Sequence, residues 1–105
     1  MPLEPSVQLG VTVVFEIKIY DKDTGMEQAA DATPTLTLTE PVVGTPRGPF
    51  ASVLKAGTTG VYLSTVQLNQ AWTEGEWLGE WSYTIGANVY LPRFSFHGHK
   101  IVLTQ

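Results

Sequence analysis

The chain has 105 residues, ten Asp and Glu against six Lys and Arg for a formal net charge of −4, and no Cys. One domain is expected, since two would each be too small to hold a core. The absence of Cys excludes disulfide frameworks, thiolate zinc sites, iron–sulfur clusters and Cys nucleophiles. Hydrophobic residues at 43% and charged residues at 15% argue against disorder. No basic run exceeds a single residue, which argues against a nucleic-acid partner. No apolar run approaches the ~18 residues of a membrane span. The opening MPLEPSVQLG carries an acid and two prolines where a signal peptide needs a basic region and an apolar run. A protein made in the cytoplasm, without a membrane partner, is the expectation.

In chain order, Met1–Pro5 reads as an extended, proline-punctuated arm, and Ser6–Leu9 as a short strand before Gly10. Val11 to Tyr20 is the clearest strand. Val11, Val13, Phe15, Ile17 and Ile19 fall on one face, Thr12, Glu16, Lys18 and Tyr20 on the other, and Val14 alone is out of place. It ends in Asp21-Lys22-Asp23-Thr24-Gly25, a turn whose glycine can take positive φ. Thr35–Thr39 alternates Leu36 and Leu38 against three threonines and is closed by Pro41. Val43–Pro49 reads as a loop, Phe50–Lys55 as a short strand, and Val61–Leu68 as a strand after the Gly57–Gly60 turn. Trp77–Ile85 puts Trp77, Gly79, Trp81, Tyr83 and Ile85 on one face and Glu76, Leu78, Glu80, Ser82 and Thr84 on the other. In Val89–Thr104, Phe94 and Phe96 are even while Ile101 and Leu103 are odd. A bulge near Gly98 would bring both pairs to one core.

No segment has a helical period, and ten Gly, seven Pro and thirteen Thr are scattered along the chain. Seven or so short strands without helices between them predict an all-β fold with antiparallel sheets. The expected architecture is a single immunoglobulin-like β-sandwich spanning residues 1–105.

Five short motifs in order, Asp21–Gly25, Pro34–Leu38, Thr59-Gly60-Val61-Tyr62, Glu74-Gly75-Glu76-Trp77 and Phe94–Phe96, resemble the small immunoglobulin-like domains of tailed-bacteriophage virion proteins. The resemblance covers about residues 11–96. It implies a structural or accessory role in a virion (capsid decoration, neck or tail) and no active site. The chain departs from that pattern in having no second domain and only short terminal extensions.

Candidate sites weigh as follows. Asp21–Gly25 lacks the spacing of an EF-hand, with Gly at position 5 and Ala32 where a bidentate Glu belongs, so a hairpin turn is expected. His97 and His99 share a strand face, yet zinc needs three or four ligands. Two exposed polar residues near a bulge is the simpler reading. Glu76 and Glu80 share a face, but four residues at ~3.3 Å place them ~13 Å apart, beyond glycosidase spacing. Elbow, phosphate-loop and metal-helix motifs are missing, so no enzyme and no cofactor are expected. Trp77 and Trp81 facing outward would form a sugar-stacking platform, but that would bury Glu76 and Glu80 unpaired, and a core position is expected instead. The row Thr33, Thr35, Thr37, Thr39 suits a solvated pleat. Trp72 lies in a polar connection and is either an exposed partner-binding anchor or a cap over one end of the sandwich. Pro2, Leu3 and Pro5 of the arm are further candidate partner contacts.

The expected function is a non-enzymatic structural virion protein of a tailed bacteriophage. It binds the assembled head surface as a decoration protein, or serves as a small neck or tail subunit. Its partners would be coat or other virion subunits, in a homo-oligomer or symmetric array. The competing readings are a carbohydrate-binding or adhesin-type sandwich and an extracellular immunoglobulin-like module cut from a larger chain.

Overall fold

The computed structural model describes residues 6–100. Nine strands follow in order: β1 Ser6–Gln8, β2 Thr12–Lys18, β3 Thr35–Thr39, β4 Pro46–Ala51, β5 Val53–Leu54, β6 Val61–Gln67, β7 Gly75–Ile85, β8 Asn88–Tyr90 and β9 Arg93–His99. The larger sheet runs β1-β9-β7-β3-β4, with β8 added at the far end of β7, and faces a smaller sheet β2-β6-β5. The protein is an all-β sandwich with no helix among the described residues.

The core forms where the inward faces meet. Leu36, Leu38, Trp77, Trp81 and Phe96 come from the larger sheet, Val66 and Leu68 from β6 and the residue after it, and Leu9 follows β1. Val13, Phe15 and Ile17 of β2 pack against them. Trp77 is 0% exposed and Trp81 4%, so both are core and neither offers a sugar platform. Each such aromatic removes roughly 150–250 Å² from water, about 4–6 kcal/mol gross at 25 cal/mol per Å². The outward faces of β2 and β3 carry Thr12, Glu16 and Lys18, and Thr35, Thr37 and Thr39, in the expected alternation.

Four local expectations are corrected. The sheets are not purely antiparallel, because β1 pairs parallel to β9 with Ser6 opposite His97 and Gln8 opposite His99. A short first strand can do this since the long β2–β8 excursion separates it from its partner. The predicted loop Val43–Pro49 gives way at Pro46 to β4, which pairs with β3 across a bulge between Leu36 and Leu38. Both prolines of β4 are tolerated because the strand is an edge. Phe50–Lys55 is not one strand. Ser52 is buried, its hydroxyl donates to the Pro34 carbonyl at 2.6 Å, and the chain crosses there from the larger sheet to the smaller. Finally, β9 pairs in unbroken register with β7 from Arg93 to Gly98, so no bulge interrupts it among the described residues. Ile101 and Leu103, whose parity suggested it, lie outside the described residues.

The Asp21–Gly25 segment is the expected turn. Asp21 Oδ1 accepts from the Asp23 and Thr24 N–H groups at 2.7 and 3.1 Å, and Gly25 adopts φ 72°. The chain returns through a Tyr20–Glu27 bridge, and the Glu27 carboxylate then accepts from the Thr59 and Gly60 N–H groups at 3.0 Å each. Those two bonds hold the Glu27 carboxyl below the usual carboxylate range. The approach at Gly60 is close: a Cβ there would stand 2.5 Å from the Gln28 carbonyl oxygen and 2.7 Å from that of Ile19. Gly60→Ala is therefore expected to lose about 1–3 kcal/mol, since backbone rather than a side-chain tip must yield. Thermal unfolding should fall by roughly 4–8 °C per kcal/mol. An unchanged midpoint would show that the Gln28 segment is looser than this packing requires.

Candidate interaction surface

One end of the sandwich is built on a buried carboxylate. Glu40 follows β3 at the inward parity of Leu36 and Leu38, and only 6% of it is exposed. Such a charge is stable only when fully partnered. Arg47 supplies Nε at 2.7 Å to Oε2, with its Nη2 on the same oxygen. Thr73 supplies its N–H at 3.1 Å and its hydroxyl at 2.9 Å to Oε1. Burial pushes the Glu40 carboxyl up, but the Thr73 N–H, the Thr73 hydroxyl and the Arg47 guanidinium together outweigh it and hold the group below the usual range.

The same groups fix the two loops at this end. Arg47 lies over the ring of Trp72 at 5.2 Å, a cation–π contact. Trp72 packs on Trp77 with centroids 5.5 Å apart, and the Trp77 indole N–H donates to the Thr73 carbonyl at 2.8 Å. Trp72 is thus half-buried against the core and caps this end, with part of its ring still accessible.

At this same end the chain makes the turn Pro41–Gly44, closed by Glu40 N–H to Thr45 O at 2.9 Å and Gly44 N–H to Glu40 O at 3.1 Å. Its tip presents Val42 at 100% and Val43 at 66% exposure. Val42 holds φ 67°, a conformation that costs a β-branched residue about 1–3 kcal/mol. Two exposed valines, one of them in a disfavoured conformation, thus project from a turn whose backbone is bonded at Glu40, the residue that carries the buried carboxylate.

The remaining sequence candidates lie elsewhere. Pro2, Leu3 and Pro5 lie outside the described residues. His97 is exposed and His99 half-buried, with His99 Nδ1 3.0 Å from the Ser6 hydroxyl. No group of three His, Asp or Glu with metal-binding geometry occurs among the described residues. Glu80 is paired with Arg93 at 2.8 Å, while Glu76 is exposed opposite His97. Sequence reasoning missed the Glu40–Arg47 pair and the valine tip. A signal for the former exists: an acid at the inward parity of an alternating strand requires a cation nearby.

A scan against family models finds no match, and no curated protein matches the chain. Among solved structures, the chain is similar to a DUF4785 family protein from Legionella pneumophila, with a TM-score of 0.59 and 15% identity. The match covers 92% of this chain and 26% of that one, so the chain spans about a quarter of that protein's length. This likeness is one of fold.

Glu40 gives this end a pH signature. A carboxyl lowered on folding stabilises fully above its ordinary value of 4.5, and that stability is lost as pH falls through the lower folded value. Glu40→Gln is expected to cost about 1–3 kcal/mol at neutral pH by leaving the Arg47 guanidinium without its anion. Urea unfolding at pH 7 and about pH 3 should show the variant deficit shrinking in acid. An equal deficit at both values would mean the carboxylate charge is irrelevant.

Proposed function

We propose that this chain is a non-enzymatic structural virion protein of a tailed bacteriophage. It acts as a capsid decoration protein on the assembled head, or else as a small neck or tail subunit. The observation that carries the reading is the valine tip: an exposed apolar turn closed by backbone hydrogen bonds suits insertion into a pocket of a neighbouring coat subunit. Trp72 and Arg47 at its base belong to the residue types enriched in binding hot spots. The arm residues Pro2, Leu3 and Pro5 remain candidate contacts of the same assembly. The mechanism is adhesive, with copies placed at symmetry-related positions on the particle surface.

The sandwich is immunoglobulin-like in this reading. Taking β2, β3, β4, β5, β6, β7 and β9 as strands B, C, C′, D, E, F and G gives a sheet B-E-D facing a sheet G-F-C-C′, the division of a variable-type domain. The first strand then joins the last in parallel. The chain differs from antibody domains in carrying its core tryptophans on β7 and in lacking the bridging cysteines.

Binding to purified, assembled heads tests the reading. The wild-type chain should saturate heads at a fixed ratio in co-sedimentation. Val42→Asn should keep or raise stability, because Asn tolerates positive φ, while the Val42→Asn, Val43→Asn double variant should bind at least about tenfold more weakly. A chain that never enters particles overturns the proposal. A double variant that decorates heads as well as wild type overturns the role of the tip.

A further inference from the structure

At the opposite end of the sandwich from Trp72, three tyrosines from separate segments line a hollow of about 210 Å³. Tyr20 lies two residues beyond β2, in the bridge to Glu27 around the Asp21–Gly25 turn, Tyr83 lies near the end of β7, and Tyr90 ends β8. Tyr83 and Tyr90 are a cross-strand pair, with ring centroids 5.2 Å apart and planes 19° from parallel. Tyr20 and Tyr90 remain 53% and 43% exposed. We infer that this hollow is a binding site for a single neutral pyranose ring, such as a terminal residue of a cell-surface or polysaccharide glycan.

Three features select that ligand class. The volume lies below the ~300 Å³ at which drug-sized pockets begin, so it suits one ring rather than an extended molecule. The polar lining offers donors and acceptors together. The Lys22 ammonium, the Asp23 carboxylate and the Gln28 amide make no hydrogen bond or ion pair with other described residues. A polyhydroxylated ring can use both kinds of partner. The two paired rings favour a flat ligand over a cation. A cage needs rings on several walls around one point, but Tyr83 and Tyr90 are nearly parallel and present a single flat direction. The C–H face of a pyranose suits a flat aromatic surface.

The site is preorganised. The backbone of the acidic turn is held by Asp21 Oδ1, and the Gln28 N–H donates to the Ile19 carbonyl at 2.9 Å. The β7–β8 turn is held by Asp31, whose carboxylate accepts from the Gly86 N–H at 2.7 Å. Burial, and then the neighbouring Tyr90, push the Tyr83 hydroxyl up, so it remains a neutral donor at physiological pH. The site is independent of the valine tip, and a virion role does not require it.

The test is titration of the isotope-labelled full chain with the methyl glycosides of glucose, galactose, mannose and N-acetylglucosamine, with choline as the cationic comparison. One small sugar ring should bind with a dissociation constant on the order of 1 mM. Saturable amide shifts confined to residues 20–28 and 83–90 with at least one glycoside are expected. Tyr90→Ala and Tyr20→Ala should each weaken that binding about five- to tenfold while the remaining spectrum stays in place, and Tyr90→Phe should retain most of it. Absence of saturable shifts with all four glycosides overturns the proposal. So do shifts centred elsewhere, or choline alone moving the same amides.

Discussion

The indole of Trp77 is the point on which the rest of the molecule depends. A fully buried tryptophan must satisfy its N–H and find room for a large flat ring. The Thr73 carbonyl meets the first demand at 2.8 Å. Gly98 meets the second: a Cβ there would stand 2.9 Å from the indole nitrogen, so the β9 backbone can pass close beneath the ring only without a side chain. Phe96 stacks on one side at 6.0 Å and Trp72 packs at 5.5 Å. Because Thr73 also donates twice to Glu40, the hydrogen bond that settles the core tryptophan settles the loop that clamps the buried carboxylate. Core packing and the conformation of the Trp72 end are therefore one structure rather than two.

Period-two alternation made most of the sandwich legible. Val13, Phe15 and Ile17, Leu36 and Leu38, and Trp77 and Trp81 all sit on the faces that the pattern assigns, because each strand has one face packed and one wet. The pattern failed where tertiary pairing overrode local chemistry. Pro46 and Pro49 read as breakers, yet an edge strand can do without the ladder bonds their missing N–H groups would make. Val53 and Leu54 read as a continuation of the strand before them, but the hydroxyl of Ser52 satisfies the crossing between sheets, an event that leaves little trace in hydropathy. The parallel docking of β1 on β9 joins residues about ninety positions apart, and no local signal reports such a pairing.

The candidate surfaces were less legible than the fold, for a related reason. Trp72 stood out by residue type alone, and its half-buried position resolves only when Arg47 and Trp77 are found on its two sides. The tyrosine hollow joins residues 20, 83 and 90, which come from three separate segments of the chain. They meet because the turn after β2 and the β7–β8 hairpin reach the same end of the sandwich. Single-chain periodicity reports which side of a strand is buried. It does not report which loops become neighbours.

Strand edges argue further about how this domain meets a partner. A sandwich can associate by adding a strand to an open edge or by inserting a loop. On the larger sheet, the β4 edge carries two prolines and a bulge, and β1 at the other side is three residues long. On the smaller sheet, β5 is two residues long, while the long edge strand β2 borders a second hollow, lined also by Phe94 and Phe96. Apart from β2, these edges are too short or too irregular to template another chain. The loops held in place before any contact lie at the two ends, where Glu40 and Arg47 fix one set and the Asp21 and Asp31 carboxylates fix the other. An end held in place before contact loses little entropy on docking, so a small apolar tip can bind with a surface that a mobile loop of the same composition would need to enlarge.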